Sequence, residues 1–134
     1  MNPTVSYPRD RETPVSHLPF SPAVKVGNLV FVSGQASVDA TGQIVSDSFE
    51  GEFRRSVENL RKVLQCAGAD LAQVVQTRNY VRDADELPLF NRLYREYFSA
   101  PYPARTTITG CLSPALRFEI ECIAVTDSAA DRAA

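Results

Sequence analysis

Apolar and polar positions recur with two different periods along this chain, and the changes of period mark its elements. In AVKVGNLVFVSG (23–34), Val24, Val26, Val30 and Val32 fall on alternate positions on either side of Gly27-Asn28. Period two belongs to a half-buried strand, and a two-residue turn containing glycine predicts a hairpin. A second turn, DATG (39–42), leads to a short third strand, QIV (43–45). The period then changes. Phe53, Val57, Leu60 and Leu64 draw one apolar stripe, which predicts a helix over 48–67. Asp47 with Glu50 reads as its capping box, and Gly68 as its left-handed stop. Residues 73–81 are rich in β-formers and predict a strand. Asp83 with Glu86 repeats the capping pattern ahead of Phe90, Leu93, Tyr94, Tyr97 and Phe98, the apolar face of a second helix. A strand near 105–110 follows SAPYPA. In the final strand, 116–125, Leu116, Phe118, Ile120, Cys122 and Ala124 face one way, and Arg117, Glu119 and Glu121 the other. The Pro-rich first 21 residues read as an extended arm, and TDSAADRAA as a frayed tail. The order β-β-β-α-β-α-β-β predicts an α+β fold: a single mixed sheet with both helices on one face. The second face then needs cover, and a partner subunit is the candidate.

Composition narrows the function classes. At 134 residues the chain fits one domain, and its formal charge of −2 gives no electrostatic reason to expect nucleic acid. Cys66, Cys111 and Cys122 are far apart and lack zinc-site spacing, so they read as reduced thiols. His17 is the only histidine. That excludes a His-rich metal site and leaves one candidate base for a Ser–His or Cys–His pair, in a Pro-rich leader. No stretch has the apolar length of a membrane span or a signal-peptide core, which predicts a cytoplasmic protein.

Four places could carry chemistry. Arg105 follows PYPA, whose prolines restrain the approach to a strand, and its planar guanidinium matches a carboxylate in two parallel hydrogen bonds. Taken alone it could equally be a surface arginine. Glu119 sits in an otherwise apolar strand, where a carboxylate is costly to bury without a partner. Glu121 shares its side of the strand. Ser33-Gly34 ends the second strand with residues small enough for a ligand to approach the backbone. Asn91 lies beside the apolar face of the second helix.

In combination these stretches resemble a known family. SPAVKVGNLVFVSGQ, NYVRDADELPLFNRLYREYF, PYPARTT and FEIECIAV are similar to the reactive intermediate deaminase family, also called Rid or YjgF, over about residues 19 to 125. The resemblance implies a chorismate-mutase-like fold and a homotrimer whose sheets form an inner barrel, with ligand clefts between subunits. It implies no metal and no organic cofactor. The implied activity is hydrolysis of reactive 2-enamine and 2-imino acids, such as 2-aminoacrylate, to 2-keto acids and ammonia. Carried over to this sequence, Arg105 would grip the substrate carboxylate and Glu119 would activate water. Phe20, Ser33, Gly34, Asn91 and Thr107 would line the pocket. Phe20 stands where many members have tyrosine, and Thr107 where many have cysteine.

The boundaries that follow are an arm at 1–18, a Rid-like domain at 19–126 and a flexible tail at 127–134. The expected partners are small 2-imino or 2-keto carboxylates and further copies of the chain. Two rival readings remain: a non-catalytic module that binds or senses carboxylate metabolites, and an endoribonuclease.

Overall fold

The computed structural model describes residues 2–126, so the expected tail at 127–134 lies outside the described residues. The chain runs β1 (Val5–Ser6), β2 (Ala23–Val26), β3 (Leu29–Ala36), α1 (Phe49–Cys66), β4 (Val74–Val81), α2 (Leu87–Tyr97), β5 (Ala104–Thr109) and β6 (Phe118–Val125). The six strands form one sheet in the order β1-β2-β3-β6-β4-β5. Every pairing is antiparallel except β4 with β5, which α2 connects as a crossover. The mixed sheet with two helices matches the expected α+β class.

Three local expectations change. The strand expected at QIV is only a single bridge, Val38 to Ile44. Asp39 explains this: its carboxylate accepts from the backbone of Thr41 and Gln43 and from the Thr41 hydroxyl, folding 39–43 into a tight loop. The third N-terminal strand instead comes from the arm, where β1 pairs with β2. Neither capping box forms. Ser48 caps α1, its hydroxyl accepting from the Gly51 amide, while Glu50 pairs with Arg54. At the second helix Asp83 pairs with Arg82, and a 3-10 turn (Ala84–Glu86) delays α2 until Pro88 can occupy its first turn.

The register decides which side of the sheet each residue faces. Val32 pairs with Cys122, Cys122 with Thr77, and Thr77 with Arg105. That row looks toward the helices, as do Val30, Val81, Phe118, Ile120 and Ala124. Against them pack Phe49, Phe53, Val57, Leu60, Leu64, Phe90 and Leu93, all buried. The rings of Phe53, Phe90 and Phe118 meet at centroid distances of 4.8 to 6.1 Å, and truncating one to alanine costs about 3–5 kcal/mol. The opposite face carries no helix. Leu29, Phe31 and Ile108 on it are 39%, 41% and 39% exposed, a large apolar surface to leave in water.

Candidate active site

The expected site residues fall into two groups on opposite faces of the sheet. On the open face, a cleft of about 830 Å³ runs between the arm (Pro14–Leu18 and Phe20), the end of β3 (Ser33–Ala36), the loop at Thr41 and Ile44, and Glu119 and Glu121 of β6. On the helix side, a smaller hollow of about 230 Å³ is lined by Asn91, Tyr94, Arg95, Tyr102, Pro103 and Arg105. Phe20, Ser33, Gly34 and Glu119 belong to the first group, and Asn91 and Arg105 to the second. Thr107 lines neither; it pairs with Asn79 across β4 and β5, and its hydroxyl is buried without a hydrogen-bond partner. A single chain therefore does not bring Arg105 and Glu119 together.

The acid cleft is shaped by an irregularity in β3. Between the pairs Val32–Cys122 and Gln35–Ile120, Ser33 and Gly34 on β3 stand against Glu121 alone on β6. Such a bulge bends its strand and re-aims the backbone. It brings Gly34 under Glu119, where an added Cβ would lie 2.7 Å from Oε2. A side chain at this position would have to displace the flexible Glu119 carboxylate. Ser33 is tied down locally: its amide donates to the Pro22 carbonyl at 2.9 Å and its hydroxyl to the Ser21 carbonyl at 2.6 Å. Its hydroxyl proton is committed, leaving only lone pairs for a ligand. The arm is held over the cleft by the Val15 amide, which donates to Ala40. It passes so close to Gly42 that a Cβ there would lie 2.1 Å from the Val15 carbonyl oxygen.

The two acids of β6 have different surroundings. Glu121 accepts from the Tyr80 hydroxyl and lies 3.9 Å from Arg78. That bond holds the Tyr80 phenol up at about 12. Among the described residues, Glu119 has no such partner. Burial pushes its carboxyl above the ordinary glutamate value, and the neighbouring charge of Glu121 pushes it in the same direction. Glu119 thus stands without the hydrogen bond and cation that engage Glu121.

Arg105 projects from an edge strand. Its guanidinium carbon stands 5.0 Å from the centroids of both the Phe90 and Tyr94 rings. Among the described residues no carboxylate pairs with it. Aromatic faces support a cation without occupying its N–H donors, so the edge of the guanidinium stays available to an anion. Sequence reasoning read Phe90 and Tyr94 as core alone; they are core and also the floor under Arg105. It missed Tyr102 and Pro103 in the hollow, although both lie in the PYPA approach. It also missed the arm as a wall of the acid cleft. Among the described residues no group of three or more His, Cys, Asp or Glu side chains is placed to hold a metal ion.

A mixed sheet with one bare face, with an arginine on its edge strand and an acid over a glycine bulge that are both unpaired among the described residues, defines a fold that comparison can place. The Endoribonuclease L-PSP family profile matches residues 11–126, and the chain belongs to that family. It is 37% identical over 115 residues to "Reactive Intermediate Deaminase A, chloroplastic" of Arabidopsis thaliana, a match covering 84% of this chain and 62% of that protein. It is 34% identical over 109 residues to the "2-iminobutanoate/2-iminopropanoate deaminase" of Dermatophagoides farinae, covering 80% of this chain and 85% of that one. Among solved structures, E. coli TdcF with bound serine superimposes with a TM-score of 0.81 at 28% identity, over 91% of this chain and 99% of that one.

Proposed function

We propose that this chain hydrolyses reactive 2-imino acids, and the 2-enamines in equilibrium with them, to 2-keto acids and ammonia. The observation that carries the reading is that, among the described residues, the Arg105 guanidinium has no carboxylate partner while Glu119, on the other face of the sheet, is an acid of raised pKa with no cation beside it. Relatives named for deamination of 2-iminobutanoate and 2-iminopropanoate support it. The imine carbon beside a carboxylate is already electrophilic, so orientation and one acid/base group suffice. Arg105 holds the carboxylate in two charge-assisted hydrogen bonds and so fixes the imine carbon. Glu119 takes a proton from the attacking water and the C–O bond forms. That proton passes to nitrogen to give the carbinolamine; the hydroxyl proton then reaches nitrogen through the same carboxyl as the C=O bond forms, the C–N bond breaks, and ammonia leaves. A carboxyl with a raised pKa suits both halves of that exchange.

The reading requires a second copy of the chain. Arg105 stands on the edge strand β5, and Glu119 on the bare face of the central strand β6. A neighbour that sets its β5 edge against that face places its own Arg105 beside the first copy's Glu119. The contact joins two different surfaces, so it closes only as a ring. Three copies give three identical sites and cover Leu29, Phe31 and Ile108. Light scattering at micromolar concentration is expected to give about three chains per particle; a stable monomer overturns the assembly.

RNA is a poor fit to a cleft that holds two carboxylates in a chain of net charge −2. Among the described residues no helix is long and apolar enough to cross a membrane. The cytoplasm is the proposed location, checked by cell fractionation. The functional test is ammonia release from 2-iminopropanoate generated in the assay by an amino-acid oxidase. The protein is expected to accelerate release in proportion to its concentration. Binding of a 2-keto acid without acceleration would make it a carboxylate-binding module instead.

A further inference from the structure

Beneath Arg105 lies a buried polar chain that neither imine binding nor water activation uses. The Tyr94 hydroxyl lies 2.9 Å from Thr77 Oγ1, in a hydrogen bond that either oxygen can donate. Asn79 Nδ2 donates to the same Thr77 oxygen at 3.0 Å, and to the Thr106 carbonyl at 3.4 Å. Tyr94 is 3% exposed, and Thr77 and Asn79 are 0% exposed. The chain thus starts on α2, crosses two side chains of β4 and ends on the backbone of β5, one residue from Arg105. Burying three polar side chains costs free energy unless they are bonded, and in this chain only Asn79 Oδ1 is buried without a partner among the described residues. A buried apolar pair would hold α2 to β4 as well. What the polar chain adds is a fixed orientation of one ring relative to one peptide of β5.

That ring is half of the floor under the guanidinium. Phe90 and Tyr94 meet edge to face at 5.7 Å, and Arg105 stands over both. Phe90 is locked by Phe53 and Phe118 behind it, and Tyr94 by the stacked ring of Phe98 at 4.5 Å. Without a carboxylate partner of its own, an arginine on an edge strand would sample many rotamers. Here its guanidinium lies over two rings, and one of those rings is tied by hydrogen bonds to the strand that carries the arginine.

We propose that Tyr94 is a positioning residue for Arg105, acting through the Tyr94–Thr77–Asn79–Thr106 chain to hold the guanidinium edge toward an incoming carboxylate. The proposal rests on Arg105 being the carboxylate receptor. Its effect belongs to anion binding and not to the proton transfer at Glu119, so it appears in KM and in the affinity for an inert 2-keto acid.

The test is a double-mutant cycle on the assembled protein, with 2-iminobutanoate hydrolysis and 2-oxobutanoate affinity as readouts. Tyr94→Phe keeps the ring and removes the hydroxyl; it is expected to raise KM and Kd about three- to tenfold, with kcat within about twofold. Thr77→Val is expected to follow it. Tyr94→Leu, which also removes the floor, is expected to exceed both. In the Arg105→Ala background the Tyr94→Phe effect is expected to vanish, because a positioning residue has nothing left to position. Thermal melts confirm that each variant is folded, and Tyr94→Phe is mild enough to remain informative if Tyr94→Leu does not fold. An equal Tyr94→Phe penalty with and without Arg105 makes the tyrosine merely structural and overturns the proposal. So does unchanged KM in Tyr94→Phe when Arg105→Ala is impaired. If Arg105→Ala itself binds 2-oxobutanoate normally, the functional reading falls, and this proposal falls with it.

Discussion

The two candidate half-sites have opposite surroundings. The Arg105 hollow is built for rigidity: a permanent cation rests on two locked rings, on the side of the sheet that carries the core. The Glu119 cleft is built for isolation: a carboxylate stands over a glycine bulge, without a cation, beneath a strap of arm residues. A guanidinium needs support that leaves its donors free. A proton-exchanging acid needs the absence of support, since a salt bridge would hold it ionised. In one chain these environments lie on opposite faces, so each can be tuned without disturbing the other. A carboxylate placed near Arg105 within the chain would have paired with it and silenced both.

Substitutions that damage one half and spare the other break this comparison most sharply. Arg105→Ala is expected to have the largest effect. Losing one partner of a desolvated charge pair costs about 2–5 kcal/mol, a loss in kcat/KM of roughly 30-fold to several-thousand-fold in steady-state imine hydrolysis. Arg105→Lys recovers little, because an ammonium lacks the planar pair of donors. Glu119→Gln comes next, with a roughly 100-fold lower kcat and an unchanged affinity for 2-oxobutanoate. Equal loss of binding in both variants would erase the division of labour. Gly34→Ala follows. The new methyl pushes the flexible Glu119 carboxylate aside, and kcat falls about tenfold with little change in melting temperature. Glu121→Gln is the smallest, within about threefold in kcat, because Glu121 is already engaged by Tyr80 and Arg78.

Stability sharpens the same contrast. The folded pKa of Glu119 lies above the usual 4.5, so between those values the folded chain binds more protons than the unfolded one. Stability from this group is present below 4.5 and is lost as pH rises through the elevated folded value. Glu119→Gln removes that loss. It is expected to melt higher than the parent at pH 7 and no higher at pH 4, while being nearly inactive at both. The acid limb of the parent's pH–kcat profile is expected above the ordinary glutamate value. An acid limb at or below that value would take the base role from Glu119.

Most of the fold was legible because most elements bury one face, and burial writes its period into the sequence. The stripe Phe53–Val57–Leu60–Leu64 and the alternation from Phe118 to Ala124 are direct records of the core. The misreadings came where side chains compete for backbone groups. Asp39 captured its own loop, Ser48 displaced Asp47 as the cap, and Pro88 set the start of α2. The residues of the candidate site were named through the family resemblance; their division between two faces was not legible, nor was the place of Thr107, which lines neither hollow. Strand β5, ARTTIT, has no buried alternation of its own. Which way Arg105 points is set by its parallel register with β4, in particular the pair Thr77–Arg105. No pattern within β5 encodes that register.

The central claim is that Arg105 of one copy works with Glu119 of another, and subunit mixing tests it most directly. Arg105→Ala and Glu119→Gln chains, each nearly inactive alone, are unfolded together in equal amounts and refolded as mixed assemblies. In a random ring about a quarter of the contacts unite an intact arginine with an intact acid. Imine hydrolysis is therefore expected to return to about a quarter of the parent rate. Activity no higher than the sum of the two separately refolded variants would mean that the chains do not share a site, and would contradict the account.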